Sequence, residues 1–151
     1  MKSPHNLRKT EKSMETKKLK RLPVGIQTYS EIVELDCLYI DKTEYIVKMM
    51  EVSKYIVLSR PRRFGKSLFV STLQAYFEGR KELFKGLYID RVEKDWTVYP
   101  VLRFDMSTAK HSDADQLRRF LSSMLEREER KWGITAHKQD PNDRLQDLIL
   151  A

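Results

Sequence analysis

Apolar positions begin to repeat only from residue 22 onward. Leu22-Pro-Val-Gly-Ile-Gln carries turn punctuation, and Ile26, Tyr29, Ile32 and Val33 follow at helical spacing, which predicts a loop and a short helix. Cys37-Leu-Tyr-Ile-Asp41 is a short apolar run. A second helical pattern passes through Tyr45, Ile46, Met49 and Met50, with Asp41 or Thr43 placed to cap it by accepting a bond from an orphan N–H. Tyr55-Ile-Val-Leu58 puts four β-forming residues in succession, as in a strand buried on both faces. Leu68, Phe69, Leu73, Tyr76 and Phe77 share one helical stripe, and Gly79 stands where a helix C′ residue belongs. A short helical piece over Lys81–Phe84 is stopped by Gly86, and a polar connection leads to Pro100-Val-Leu-Arg-Phe-Asp105, which reads as a second strand. Leu117, Phe120, Leu121, Met124 and Leu125 make an amphipathic helix whose outer face is charged from Glu126 to Lys131. Past Gly133 a loop follows, and Arg144 opens a last helical run to Ala151.

Composition narrows the class. With 40% hydrophobic residues in 151, the chain has the material for a core and is not a wholly disordered one. No apolar run approaches a membrane span and the N-terminus is charged where a signal peptide is apolar, so the expectation is a cytoplasmic protein with no membrane partner. Cys37 has no second cysteine to pair with, and His5, His111 and His137 share no metal-ligand spacing with it.

The net charge of +7 changes meaning once it is divided along the chain. Lys2, Arg8, Lys9, Lys12, Lys17, Lys18, Lys20 and Arg21 oppose only Glu11 and Glu15, so all but one unit of the excess lies in the first 22 residues. Residues 1–21 are therefore expected to be a basic, disordered leader on a nearly neutral body, with Met14 as a second candidate start. A nucleic-acid or anionic-membrane arm is the competing reading of the same residues.

Between the first predicted strand and the helix after it lies Arg60-Pro61-Arg62-Arg63-Phe64-Gly65-Lys66-Ser67. It matches G-x-x-x-x-G-K-[ST] except that Arg60 replaces the first glycine. The residue types follow from the chemistry of a phosphate chain. Backbone N–H groups must point inward, glycine must stand where a side chain would collide, lysine must reach the β and γ oxygens, and a hydroxyl must meet Mg²⁺. Gly65, Lys66 and Ser67 supply the last three. Arg60, Arg62 and Arg63 read equally as further phosphate contacts or as an exposed basic turn. Because arginine does not readily adopt φ > 0, the loop is expected to depart from the standard shape at residue 60.

Several blocks in order then carry a resemblance: Leu22-Pro-Val-Gly-Ile-Gln, Leu38-Tyr-Ile-Asp-Lys-Thr43, the run from Leu58 through the loop to Leu68, Ala75-Tyr-Phe-Glu-Gly79, Glu82-Leu-Phe-Lys-Gly86 and Tyr99-Pro-Val-Leu. Over roughly residues 22–151 the chain resembles the bacterial AAA-ATPase-like family, whose own loop reads Arg-Pro-Arg-Arg-Phe-Gly-Lys-Ser. The resemblance implies an α/β fold, a P-loop NTPase domain of three layers, α/β/α, truncated here to the P-loop strand and the next strand with their helices. It implies ATP and Mg²⁺ as cofactors, with residues 60–67 binding the nucleotide and Ser67 meeting the metal. It places the Walker B carboxylates, and commonly a nuclease-like domain that would bring a nucleic-acid partner, further downstream.

Asp105 alone ends a predicted strand with a carboxylate, and the resemblance makes it a structural residue or one that supports the site from behind rather than the catalytic carboxylate. The expectation is a nucleotide-binding, N-terminal part of a domain, marginally stable alone, whose hydrolytic residues lie outside it. A truncated product without independent activity and a basic nucleic-acid-binding module are the competing functions. Asp41-Lys42-Thr43 is explained equally by a helix cap and by a place near the nucleotide.

Overall fold

The computed structural model describes residues 19–108, 113–135 and 137–151. The basic leader expected over residues 1–21 lies almost wholly outside them. Among the described residues the chain forms six α-helices: α1 (Tyr29–Glu34), α2 (Glu44–Val52), α3 (Lys66–Phe77), α4 (Tyr88–Val92), α5 (Ala114–Trp132) and α6 (Pro141–Leu150). Two 3₁₀ turns, Lys81–Phe84 and Met106–Thr108, interrupt the connections.

No strand occurs among these residues, which corrects the expected three-layer α/β/α arrangement. Residues 55–58 are non-helical but not buried: Tyr55 is 91% exposed and Val57 94%, and only Leu58 reaches the core. Residues 100–105 likewise carry no ladder, and the one β-bridge described joins Arg21 to Cys37. A strand is defined by its neighbour. β-Propensity holds a segment extended, but a sheet needs a second chain segment brought alongside, and neither predicted strand has one here.

The chain divides into two compact units, the first running to Tyr76 and including Arg80–Trp96, the second comprising Phe77–Gly79 and Thr97–Ala151. In the first, Tyr29, Ile46, Phe69, Ala75, Leu83, Phe84 and Ile89 form the buried core. Each fully buried large side chain of this kind contributes about 1.5–3 kcal/mol relative to exposure. Aromatic rings organise it: Phe84 lies 5.0 Å from Tyr29 and 5.3 Å from Trp96, and Tyr76 meets Trp96 edge-on at 5.7 Å. Trp96 thus covers the core edge, and Cys37 is a small buried core residue.

α3 ends as the glycine predicts. Gly79 takes φ 70°, and the N–H of Arg80 returns to the carbonyl of Ala75, the wider bond of a Schellman cap.

The helices of the first unit are capped from afar. The N–H of Tyr29, at the start of α1, donates to Ser71 Oγ on α3 at 3.0 Å. The expected cap of α2 by Asp41 or Thr43 does not form, and both side chains cap α4 instead: the N–H of Tyr88 donates to Asp41 Oδ2 at 2.7 Å and that of Ile89 to Thr43 Oγ1 at 3.1 Å. These bonds satisfy the orphan donors that begin every helix. The α4 helix itself was expected to be part of a polar connection.

In the second unit α5 and α6 pack together, with Met124, Leu125 and Leu148 buried. Asp113 caps α5 through the N–H of Gln116, Asp140 caps α6 through that of Asn142, and Gly133 ends α5 in the left-handed region at φ 68°. Glu129 does not belong to a charged outer face. It is 4% exposed and forms a two-point pair with Arg144 of α6, Nε to Oε1 at 2.9 Å and Nη2 to Oε2 at 2.5 Å.

Candidate functional site

The loop over residues 60–67 joins the extended segment after α2 to the N-terminus of α3. Its turn closes through the N–H of Phe64 donating to the carbonyl of Pro61 at 3.4 Å, and the N–H of Phe69 returns to the carbonyl of Gly65 at 2.9 Å as α3 begins. Left-handed backbone occurs at two places, Arg63 with φ 69° and Gly65 with φ 73°. Arg60 stays out of the left-handed region and lays its guanidinium over the ring of Phe69, 5.9 Å from its centroid.

At Gly65 a Cβ would meet no atom within 4 Å, so the backbone conformation, not crowding within the chain, is what the glycine satisfies. Tight turns of this kind gather successive N–H groups into an anion-binding concavity. Lys66 and Ser67 form the first turn of the 12-residue α3, where N–H groups lack intrahelical acceptors. Pro61, Arg62, Arg63, Phe64, Gly65, Lys66 and Ser67 are all exposed, and Phe64 is 64% so. Among the described residues Arg62, Arg63 and Lys66 form no ion pair with a carboxylate. Three free cations and an open turn can receive an anion.

Gly65 also borders a cleft of about 240 Å³. Leu22, Pro23, Leu38, Tyr39 and Ile40 line it from the N-terminal blocks, Leu68 and Phe69 from α3, and Lys42 is the one charged residue in its wall. Tyr39 is held there by its hydroxyl, 3.4 Å from that of Thr72. Burial raises the Tyr39 phenol above its ordinary value against the opposing effect of that hydrogen bond. The sequence offers a place near the nucleotide only for Asp41-Lys42-Thr43, as one of two readings, and none for Leu22, Pro23, Leu38, Tyr39 or Ile40. A helical period or a strand alternation says nothing about which loop a distant segment will meet.

Asp105 accepts from both the N–H of Ser107 at 2.9 Å and its hydroxyl at 2.6 Å. Those bonds, the hydroxyl first, hold its carboxyl below the usual range, and it starts the Met106–Thr108 turn as a local cap. Among the described residues no three His, Cys, Asp or Glu side chains gather as a metal would need, and no helix is long and apolar enough to cross a membrane.

A family model described as "AAA-ATPase_like: Predicted AAA-ATPase" matches residues 23–151, and the chain belongs to that family. A curated relative, "Uncharacterized protein in vnfD 5'region" of Azotobacter chroococcum mcd 1, is 40% identical over 133 residues, which cover 86% of this chain and 25% of that protein. The chain thus spans about a quarter of that relative's length. No solved structure matches.

Proposed function

We propose that the chain binds ATP, with residues 60–67 as a variant Walker A loop. The carrying observation is the loop itself: a turn with left-handed residues at 63 and 65 delivers Lys66 and Ser67 to the start of α3, with its cations unpaired. Membership of a family of predicted ATPases supports the choice of nucleotide. In this reading the backbone from Arg63 to Ser67 cradles the phosphates, Lys66 Nζ meets the β and γ oxygens, and Arg60, Arg62 and Arg63 add positive field. The apolar cleft at Gly65 seats the base.

Mg²⁺ fits this donor set only in company with the nucleotide. Ser67 offers one exposed hydroxyl and no carboxylate cluster stands among the described residues, so within them Ser67 alone would meet the ion, beside the phosphate oxygens of the nucleotide. Bound there it would neutralise phosphate charge.

Titration calorimetry of the chain with ATP and Mg²⁺ tests the reading. Lys66→Ala is expected to weaken binding by about tenfold or more, since a charge-assisted hydrogen bond is lost. Unchanged affinity would sink the assignment.

A further inference from the structure

Lys42 stands between two residues that are fully committed. Asp41 accepts from the N–H of Thr43 at 2.8 Å, from its hydroxyl at 2.7 Å and from the N–H of Tyr88 at 2.7 Å, while Thr43 is completely buried and accepts from Ile89. The backbone at residue 42 is therefore pinned on both sides. Lys42 itself is half-buried, lines the cleft that Gly65 borders, and forms no ion pair with any described residue.

The other residues of that wall are apolar or, in Tyr39 and Gly65, uncharged. A lysine lays its stem along an apolar wall and keeps its ammonium at the wall's edge, where here no carboxylate occupies it. An anion at the cleft's border, beside the loop, would supply that partner. Lysine presents donors only, so its partner must be an acceptor, and a phosphate held at the loop brings charge to the cleft's border.

We propose that Lys42 is a second phosphate-binding lysine, contacting the phosphate chain of the bound nucleotide from the cleft side while Lys66 holds it from α3. This inference rests on the nucleotide reading of residues 60–67. It makes the Asp41–Thr43 clamp a positioning device, whose rigid turn presents a flexible cation at one place.

Calorimetric titrations of the full chain with ATP, adenosine and inorganic tripolyphosphate, for the wild type, Lys42→Met, Lys42→Arg and Lys66→Ala, provide the test. Lys42→Met is expected to weaken ATP and tripolyphosphate by about tenfold, to leave adenosine unchanged, and to be largely rescued by Lys42→Arg. Should Lys66→Ala lose ATP while Lys42→Met does not, the inference falls and the nucleotide reading stands. An equal loss for adenosine, or a loss that arginine does not rescue, also overturns it, the first by moving Lys42 to the base and the second by making its role structural. Wild-type binding of tripolyphosphate but not ATP, with Lys42 dependence, would keep the phosphate contact and discard the nucleotide. Binding of neither overturns both.

Discussion

Asp41 Oδ2 accepts a hydrogen bond from the N–H of Tyr88 at 2.7 Å, across 47 residues of sequence. Burial pushes the Asp41 carboxyl up, but bonds from the Thr43 N–H, the Thr43 hydroxyl and the Tyr88 N–H, with Arg91 nearby, outweigh it and hold the group below its ordinary value. A depressed carboxyl stabilises the fold above its unfolded value of about 3.9, and that contribution is lost as pH falls through the lower folded value. Urea midpoints of Asp41→Asn and wild type should therefore differ at pH 6 and converge below about pH 4. A gap that persists at low pH would contradict the clamp's ionic character.

The partner bond, from Ile89 N–H to Thr43, lies between two completely buried residues. Thr43→Val keeps the shape but leaves that N–H without its acceptor. A loss of about 1–3 kcal/mol in denaturant stability is expected, with α4 amides exchanging faster than those of α3.

At the alkaline end Tyr29 sets the limit. Its hydroxyl donates to the carbonyl of Leu83 at 2.8 Å, and burial first, then Tyr39 and Asp41, raises it far above the ordinary phenol value. The stabilisation is complete below the unfolded value of about 10 and declines as pH climbs beyond it, because the unfolded chain ionises and the folded one does not. Thermal midpoints of the wild type should fall more steeply between pH 9.5 and 11, about the ordinary phenol range, than those of Tyr29→Phe.

Arg144 and Glu129 make the second unit sensitive to a single change. Removing the guanidinium in Arg144→Met strands a carboxylate that is 4% exposed, at an expected cost of about 3–5 kcal/mol. Replacing both by methionine should recover most of that loss, and chemical denaturation of the single and double variants measures the coupling. An inexpensive single variant would mean that the pair does not hold α6 to α5.

Val57 distinguishes the observed fold from the expected one. At 94% exposure, Val57→Lys should change stability by less than about 0.5 kcal/mol and reduce self-association, since it interrupts an exposed β-prone segment. In a strand buried on both faces the same change would unfold the domain.

What could be read from the chain alone was what is decided within a few residues. The stripes that became α1, α2, α3 and α5 are periodicities of one segment, and Gly79, Gly86 and Gly133 act through their own backbone angles. The loop motif over residues 60–67 belongs to the same category, because it is a pattern of eight consecutive residues. The predicted strands fail for the complementary reason. Extension at residues 55–58 is local, whereas pairing depends on a second segment that local preference does not summon.

Tertiary structure decided everything that joins distant residues. Ser71, in the middle of α3, caps α1, and Asp41 and Thr43 cap α4, although their place before α2 is that of caps for their own helix. Glu129 sits in a run of charges that looks solvated and is buried because Arg144 arrives opposite it. Lys42 reaches the cleft beside Gly65 for the same reason. A side chain's type limits which bonds it can form, but its partner is set by which backbone the packed core brings within about 3 Å.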